Sequence, residues 1–232
     1  MSLHDTLFRS WTLPGRARGL RDLFVICALA ASGAAGEPPL GPLEDRVQWV
    51  RLEHELVAID SAGSGEHRAA LGVGERVRGT WADGEIGVAL TNRRLLAVTA
   101  TTGGVHEVRF LVGEHALIEP VLGDRVALVV TTRRALGFDG GGGSWVEASL
   151  GPRERVTATA VANHVAALAT DRRALALSPV RGGFFEAPLS LQEAPVSLSA
   201  SGDLATLRTH TRLLVFRASS ARWSERSIGL GN

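Results

Sequence analysis

From about residue 44 onward the chain is written in short apolar runs separated by polar turns. Val156-Thr-Ala-Thr-Ala-Val161 alternates with a period of two, and Asn163 interrupts it. Val165 to Thr170 is nearly all apolar, Asp171-Arg172 interrupts again, and Arg173 to Ser178 resumes the pattern. After Gly182-Gly183 comes a fourth run, Phe184 to Leu189. Runs of this length bounded by Gly, Asn and Asp predict four β-strands joined by tight turns. No part of the unit sustains a helical period for more than a turn or two.

The same unit recurs along the chain. Thr91-Asn-Arg-Arg94, Thr131-Thr-Arg-Arg134, Thr170-Asp-Arg-Arg173 and Thr209-His-Thr-Arg212 each precede a run such as Leu95-Leu-Ala-Val98. A degenerate first copy reads Leu52-Glu-His-Glu55, followed by Leu56-Val-Ala-Ile59. From Glu55 to Arg94, Arg134, Arg173 and Arg212 the steps are 39, 40, 39 and 39 residues. Two further columns keep the step: Glu107, Glu147, Glu186 and Glu225 after an apolar or aromatic residue, and Glu75, Glu114, Glu154 and Glu193 opening each new unit.

Four strands in about 40 residues is the blade of a propeller. The expected fold class is therefore all-β, a five-bladed β-propeller of four-stranded antiparallel blades. The chain resembles the β-propeller repeat superfamily in architecture over residues 37–232, and no named family is matched. The Gly-His and Trp-Asp signature of WD-type blades is absent, and Gly142-Gly143 and Gly182-Gly183 match the Kelch double glycine only in part. The first unit has a poor opening strand, because Pro38, Pro39 and Pro42 interrupt it.

Blade geometry assigns most repeated columns to packing. Val57, Leu96, Leu136, Leu175 and Leu214 fill one face of a central strand. Ala58, Ala97, Gly137, Ala176 and Val215 lie on the other, where small side chains let neighbouring blades approach. The aromatic column Trp145, Phe184 and Trp223 invites a sugar-stacking role, but its recurrence points first to packing between blades. The Glu107, Glu147, Glu186 and Glu225 column reads as a repeated salt bridge or backbone acceptor.

Arg93, Arg133 and Arg172 fall in the turns between the second and third strands. Those turns share a rim with the links that carry Glu75, Glu114, Glu154 and Glu193. The three arginines are the candidate ligand-binding residues, for a carboxylate, a phosphate or an anionic polymer, since guanidinium groups bind such oxyanions bidentately. The competing expectation is that the glutamate ring neutralises them. The opposite rim carries Asp83, Glu85, Asp124, Asp139 and Asp203 in turns of varied length, with no calcium-loop spacing. His54, His67, His106, His115, His164 and His210 are scattered over different units. No catalytic residues, metal ligands or cofactors are expected, because no nucleophile elbow, phosphate loop or histidine pair stands in the sequence.

Charge narrows the partners. The 25 basic and 24 acidic residues nearly cancel, and every basic residue other than histidine is arginine. That balance argues against nucleic acid, which needs an excess of basic charge. At the N-terminus, Arg16, Arg18 and Arg21 precede an apolar run from Leu23 to Ala35, with Gly33 and Ala35 as a small-x-small exit. This pattern makes residues 1–36 a signal peptide, cleaved between about residues 33 and 37, or otherwise a disordered N-terminal segment. The run is too short for a stable membrane span, which takes about 20 residues. Bulky Ile26 before Cys27 argues against lipoprotein attachment. Loss of the segment would remove the single cysteine, four arginines and two aspartates.

These readings lead to a non-enzymatic binding or scaffolding propeller, monomeric, and exported to the periplasm or cell surface. It stays cytoplasmic if the leader is not a signal. Its partner is expected to be a protein or an anionic ligand. The alternative is a carbohydrate-directed propeller, either a lectin or a glycosidase.

Overall fold

The computed structural model describes residues 45–61 and 65–228. The expected signal peptide, its cleavage site, Cys27 and the proline-interrupted opening strand lie outside the described residues. The described part contains strands and turns and no helix.

Five antiparallel sheets follow one another along the chain, and they make it a five-bladed β-propeller. Blade 1 comprises β1 (Val47–Arg51), β2 (Glu55–Asp60) and β3 (Glu66–Ala70). Blade 2 comprises β4 (Val77–Asp83), β5 (Ile86–Thr91), β6 (Arg94–Thr99) and β7 (Val105–Arg109). Blade 3 comprises β8 (Val121–Leu122), β9 (Val126–Val130), β10 (Arg134–Asp139) and β11 (Ser144–Ser149). Blade 4 comprises β12 (Val156–Ala162), β13 (Val165–Thr170), β14 (Arg173–Ser178) and β15 (Gly183–Pro188). Blade 5 comprises β16 (Pro195–Ser201), β17 (Leu204–Thr209), β18 (Arg212–Arg217) and β19 (Arg222–Ser227).

In every blade the strands pair in chain order, each with the next. Blade 1 shows three strands, and β1 aligns with the second strand of the later blades. Its first-strand position therefore falls in the undescribed proline stretch. The first strands β4, β12 and β16 each carry a register shift at the same repeat position, near Arg78, Thr157 and Val196. In blade 3 the first strand shrinks to two residues after Pro120, which has no N–H to donate to a ladder.

The core lies between blades. Every residue of β5, β9 and β13 is buried, because both faces of these strands meet a neighbouring sheet. Ile86, Val88 and Leu95 of blade 2 pack with Ala127, Val129 and Leu136 of blade 3. Leu128 and Ala135 pack with Leu168 and Leu175, and Ala167 and Ala176 pack with Ala205 and Phe216. Fully burying a leucine of this kind stabilises the fold by about 1.5–3 kcal/mol. Gly137 marks a close approach: a Cβ there would lie 2.8 Å from Leu177 Cδ2 and 3.0 Å from Phe184 Cζ.

Blade 5 departs from this pattern on one face. Its Leu207, Leu214 and Phe216 are buried against blade 4, whereas Leu204, Arg208, Arg217, Arg222 and Arg226 on the opposite face are exposed. The equivalent positions in blade 4 are Val165, Ala169, Ser178, Gly183 and Ala187. Blade 5 thus presents a polar, arginine-rich surface that no sheet among the described residues covers.

Candidate functional site

The site forms on the rim where the second strand of each blade turns into the third. In blades 2 to 5 this turn is organised by a buried threonine. Thr91 Oγ1 accepts from the backbone N–H groups of Arg93 and Arg94, at 3.0 and 2.9 Å. Thr131 repeats this with Arg133 and Arg134 at 3.2 and 3.0 Å, and Thr170 with Arg172 and Arg173 at 3.1 and 3.0 Å. The threonine hydroxyl stands in for a backbone acceptor and fixes a turn of constant shape. Two successive arginines then leave the turn in different directions.

The second arginine points into the blade. Arg134 donates through Nε and Nη2 to the two oxygens of Glu114, at 2.9 and 3.1 Å. Its Nη2 also donates to the Arg109 carbonyl at 2.7 Å, and its Nη1 to Glu147. Arg94 makes the equivalent contacts with Glu75, the Ala70 carbonyl and Glu107. Arg173 does so with Glu154, Ser149 and Glu186, and Arg212 with Glu193, Pro188 and Glu225. One guanidinium thereby joins the last strand of the preceding blade, the link and the last strand of its own blade. The Glu114 side chain is fully buried and that of Arg134 is 10% exposed.

Both glutamate columns are therefore taken up by Arg94, Arg134, Arg173 and Arg212. This differs from the expectation that the link glutamates would neutralise Arg93, Arg133 and Arg172. The reason is the threonine turn, which aims the second arginine inward over the link and the first outward. Burial opposes ionisation of Glu75, Glu114 and Glu154, but the hydrogen bonds from the arginine and from a link N–H outweigh it and hold each carboxyl below its ordinary range. The Arg212 hydrogen bonds bring Glu193 down to about 2.

The first arginines, Arg93, Arg133 and Arg172, are exposed on the rim. None of them makes an ion pair among the described residues. Arg172 Nη2 donates to the Pro152 carbonyl at 3.1 Å. The Arg93 guanidinium lies over the link turn, 3.4 Å from where a Cβ on Gly72 would sit. Open grooves run between successive turns. One of about 360 Å³ is lined by Gly72, Glu75, Arg93, Arg94 and Arg109. A larger one of about 610 Å³ includes Leu111, Arg133, Leu150, Pro152 and Arg153 in its walls.

The aromatic column packs within and between blades. Trp145 lies 5.1 Å from Phe138 and donates its indole N–H to the His106 carbonyl of the preceding blade at 3.1 Å. Trp223 repeats this with Phe216 at 5.2 Å and the Phe185 carbonyl at 2.9 Å. Phe184 packs against the cluster between blades 3 and 4. All three are partly buried.

On the opposite rim, Glu85 is held by Arg125 at 2.7 Å and Arg46 at 3.4 Å. Asp139 accepts from the Gly141 N–H at 2.9 Å and shapes the glycine-rich turn. Asp83 is raised by burial and by the nearby charges of Asp45 and Asp124. Among the described residues no group of histidine, cysteine, aspartate and glutamate side chains is arranged to hold a metal ion. Nor is any helix there long and apolar enough to cross a membrane.

The fold and rim place the chain among the β-propellers. No protein-family model matches it, and no curated protein does. Among solved structures it is similar to human WBSCR16, at 8% identity and a TM-score of 0.38, over 71% of this chain and 56% of that one. It is similar to Prp20p of Saccharomyces cerevisiae, described with its binding to Gsp1p and histones, at 9% identity and a TM-score of 0.36, over 71% and 54%. AztD of Citrobacter koseri matches at 12% identity and a TM-score of 0.36, over 78% and 59%. The chain spans little more than half the length of these structures.

Proposed function

We propose that the chain is an exported, non-enzymatic binding propeller whose arginine rim holds an anionic ligand. The observation that carries the reading is the division of labour within each arginine pair. Every link glutamate accepts from the inward arginine, so the outward Arg93, Arg133 and Arg172 are left without an acidic partner among the described residues, and Arg93 and Arg133 line open grooves. A guanidinium in that state is set for bidentate contact with a carboxylate or a phosphate. The carbohydrate reading loses its main support, since Trp145, Phe184 and Trp223 are committed to packing. Export rests on the leader pattern alone, and N-terminal sequencing of the native protein beginning between residues 33 and 37 is the expected result; a start at Met1 overturns it.

The rim is tested with a surface coated in poly-L-glutamate. The wild-type protein is expected to bind it, more weakly as salt rises, because exposed charges are screened over about 10 Å at 0.1 M. The combined Arg93→Gln, Arg133→Gln and Arg172→Gln protein is expected to lose the binding and keep its melting temperature. Equal binding by the two proteins, or none by wild type, defeats the reading.

A further inference from the structure

The links between blades end in four tight turns, and each places an aliphatic side chain at its tip. Each is closed by a backbone hydrogen bond across four residues, from the N–H of Glu75 to Gly72, Glu114 to Leu111, Glu154 to Gly151 and Glu193 to Ser190. The glutamate side chain returns the contact, as Glu114 accepts from the Leu111 N–H at 2.7 Å. In the first three turns the third residue has positive φ: Gly74 at 72°, Gly113 at 75° and Arg153 at 64°. That is the type II turn, which favours proline at its second position, where Pro152 stands. The second positions of the four turns are Val73, Val112, Pro152 and Leu191. Val73, Val112 and Leu191 are 95%, 93% and 108% exposed, and Pro152 is exposed as well.

These tips share the rim with the unpaired arginines. Arg93 lies over the turn of Val73, Arg133 approaches the turn of Val112 to within 3.9 Å of a Cβ on Gly113, and Arg172 bonds the Pro152 carbonyl. Arg153 occupies a left-handed backbone position where the two earlier turns have glycine. A non-glycine residue there is strained, and strain of this kind collects at functional positions. Single exposed apolar residues are ordinary on a protein surface. One at each of four equivalent turns, with an unpaired arginine beside three of them, is a repeated amphipathic pattern.

We propose that this rim docks an acidic polypeptide segment that also carries aliphatic side chains. It would run across successive link turns with its carboxylates on Arg133, Arg153 and Arg172 and its aliphatic groups against Val112 and Pro152. Arginine surrounded by apolar surface is a favoured composition for protein interfaces. The groove of about 610 Å³ between these turns has Arg133 and Arg153 in its walls, where an extended chain reaches them. A flat lipid surface would meet the tips alone, and the tips carry none of the aromatic side chains that favour a membrane interface.

The inference rests on the anion-binding reading of the same rim, and two peptides separate the two. A fluorescent peptide of alternating glutamate and leucine is compared with one of alternating glutamate and serine. Wild type is expected to bind the leucine peptide about tenfold more tightly. The combined Val73→Ser, Val112→Ser and Leu191→Ser protein, altered only at exposed positions, is expected to lose most of the preference for the leucine peptide, with poly-L-glutamate binding and melting temperature unchanged. Poly-L-glutamate binding with no preference for leucine overturns this inference and leaves the anionic rim standing. Loss of all three interactions in wild type removes both. Capture of vesicles containing phosphatidylserine, lost in the tip variant while neither peptide discriminates, assigns the rim to lipid and also overturns the inference.

Discussion

At the scale of single residues, the adjacent arginines in the turns of blades 2 to 4 are chemically identical and energetically opposite. Arg133 is exposed and without an ion pair, so Arg133→Ala is expected to change unfolding free energy by no more than about 1 kcal/mol. Arg134 neutralises a fully buried carboxylate and satisfies a carbonyl of the preceding blade. Arg134→Ala leaves Glu114 buried and uncompensated and is expected to cost about 3–5 kcal/mol. Urea unfolding of the two variants checks the contrast, and equal destabilisation would contradict the assignment of roles. The sequence already showed the arginine column, but it did not show which member turns inward. The threonine two or three residues earlier carries that information, because its hydroxyl fixes the turn. Its recurrence at Thr91, Thr131, Thr170 and Thr209 was the available signal.

At the scale of the strand and the blade, period and alternation made the architecture legible. The apolar runs, the turn residues and the 39-residue step together fix four strands per unit and the identity of the core faces, since a strand packed on both sides must be apolar throughout. The small-residue column was equally readable, and Gly137 gives its physical basis. Gly137→Val would set a Cβ 2.8 Å from Leu177 Cδ2 and 3.0 Å from Phe184 Cζ of the next blade, with two further methyl groups to accommodate. Overpacking of this kind typically costs about 1–3 kcal/mol. A melting temperature that does not fall in the Gly137→Val protein would show that blade 4 yields easily at this point. Less legible were the two-residue β8 and the type II link turns. The first depends on Pro120 and the second on a positive φ that falls on an arginine in one copy. The outer face of blade 5 was hidden for another reason. Alternation in Leu204 to Thr209 looks like that of any strand, and nothing in it tells that Leu204 and Arg208 stay exposed where Val165 and Ala169 of blade 4 are buried.

At the scale of the whole molecule, the repeated glutamate–arginine clamp makes stability a function of pH in a defined window. Glu75, Glu114, Glu154 and Glu193 all have their pKa held below the ordinary carboxylate value near 4.5, with Glu193 at about 2. A carboxyl whose pKa is lower in the folded state binds its proton more readily in the unfolded chain. Its contribution is complete above the unfolded value and is lost as pH falls through the folded one. Stability is therefore expected to be flat from pH 7 to about pH 5 with respect to these groups, and to fall from about pH 4.5 towards pH 2. Asp83 works the other way, because its raised pKa makes protonation relieve an unfavourable burial near neighbouring aspartates. One such group is set against four clamps, so the net slope keeps its sign. Each clamp ties a blade to the preceding one, and protonation loosens four successive junctions over the same range. The decisive comparison is Arg212→Gln, which removes the main cause of the Glu193 shift. That variant is expected to be less stable than wild type at pH 7 and to lose less on acidification, so that the two curves of urea midpoint against pH converge below pH 3. Parallel curves would show that the Arg212–Glu193 pair does not couple protonation to folding.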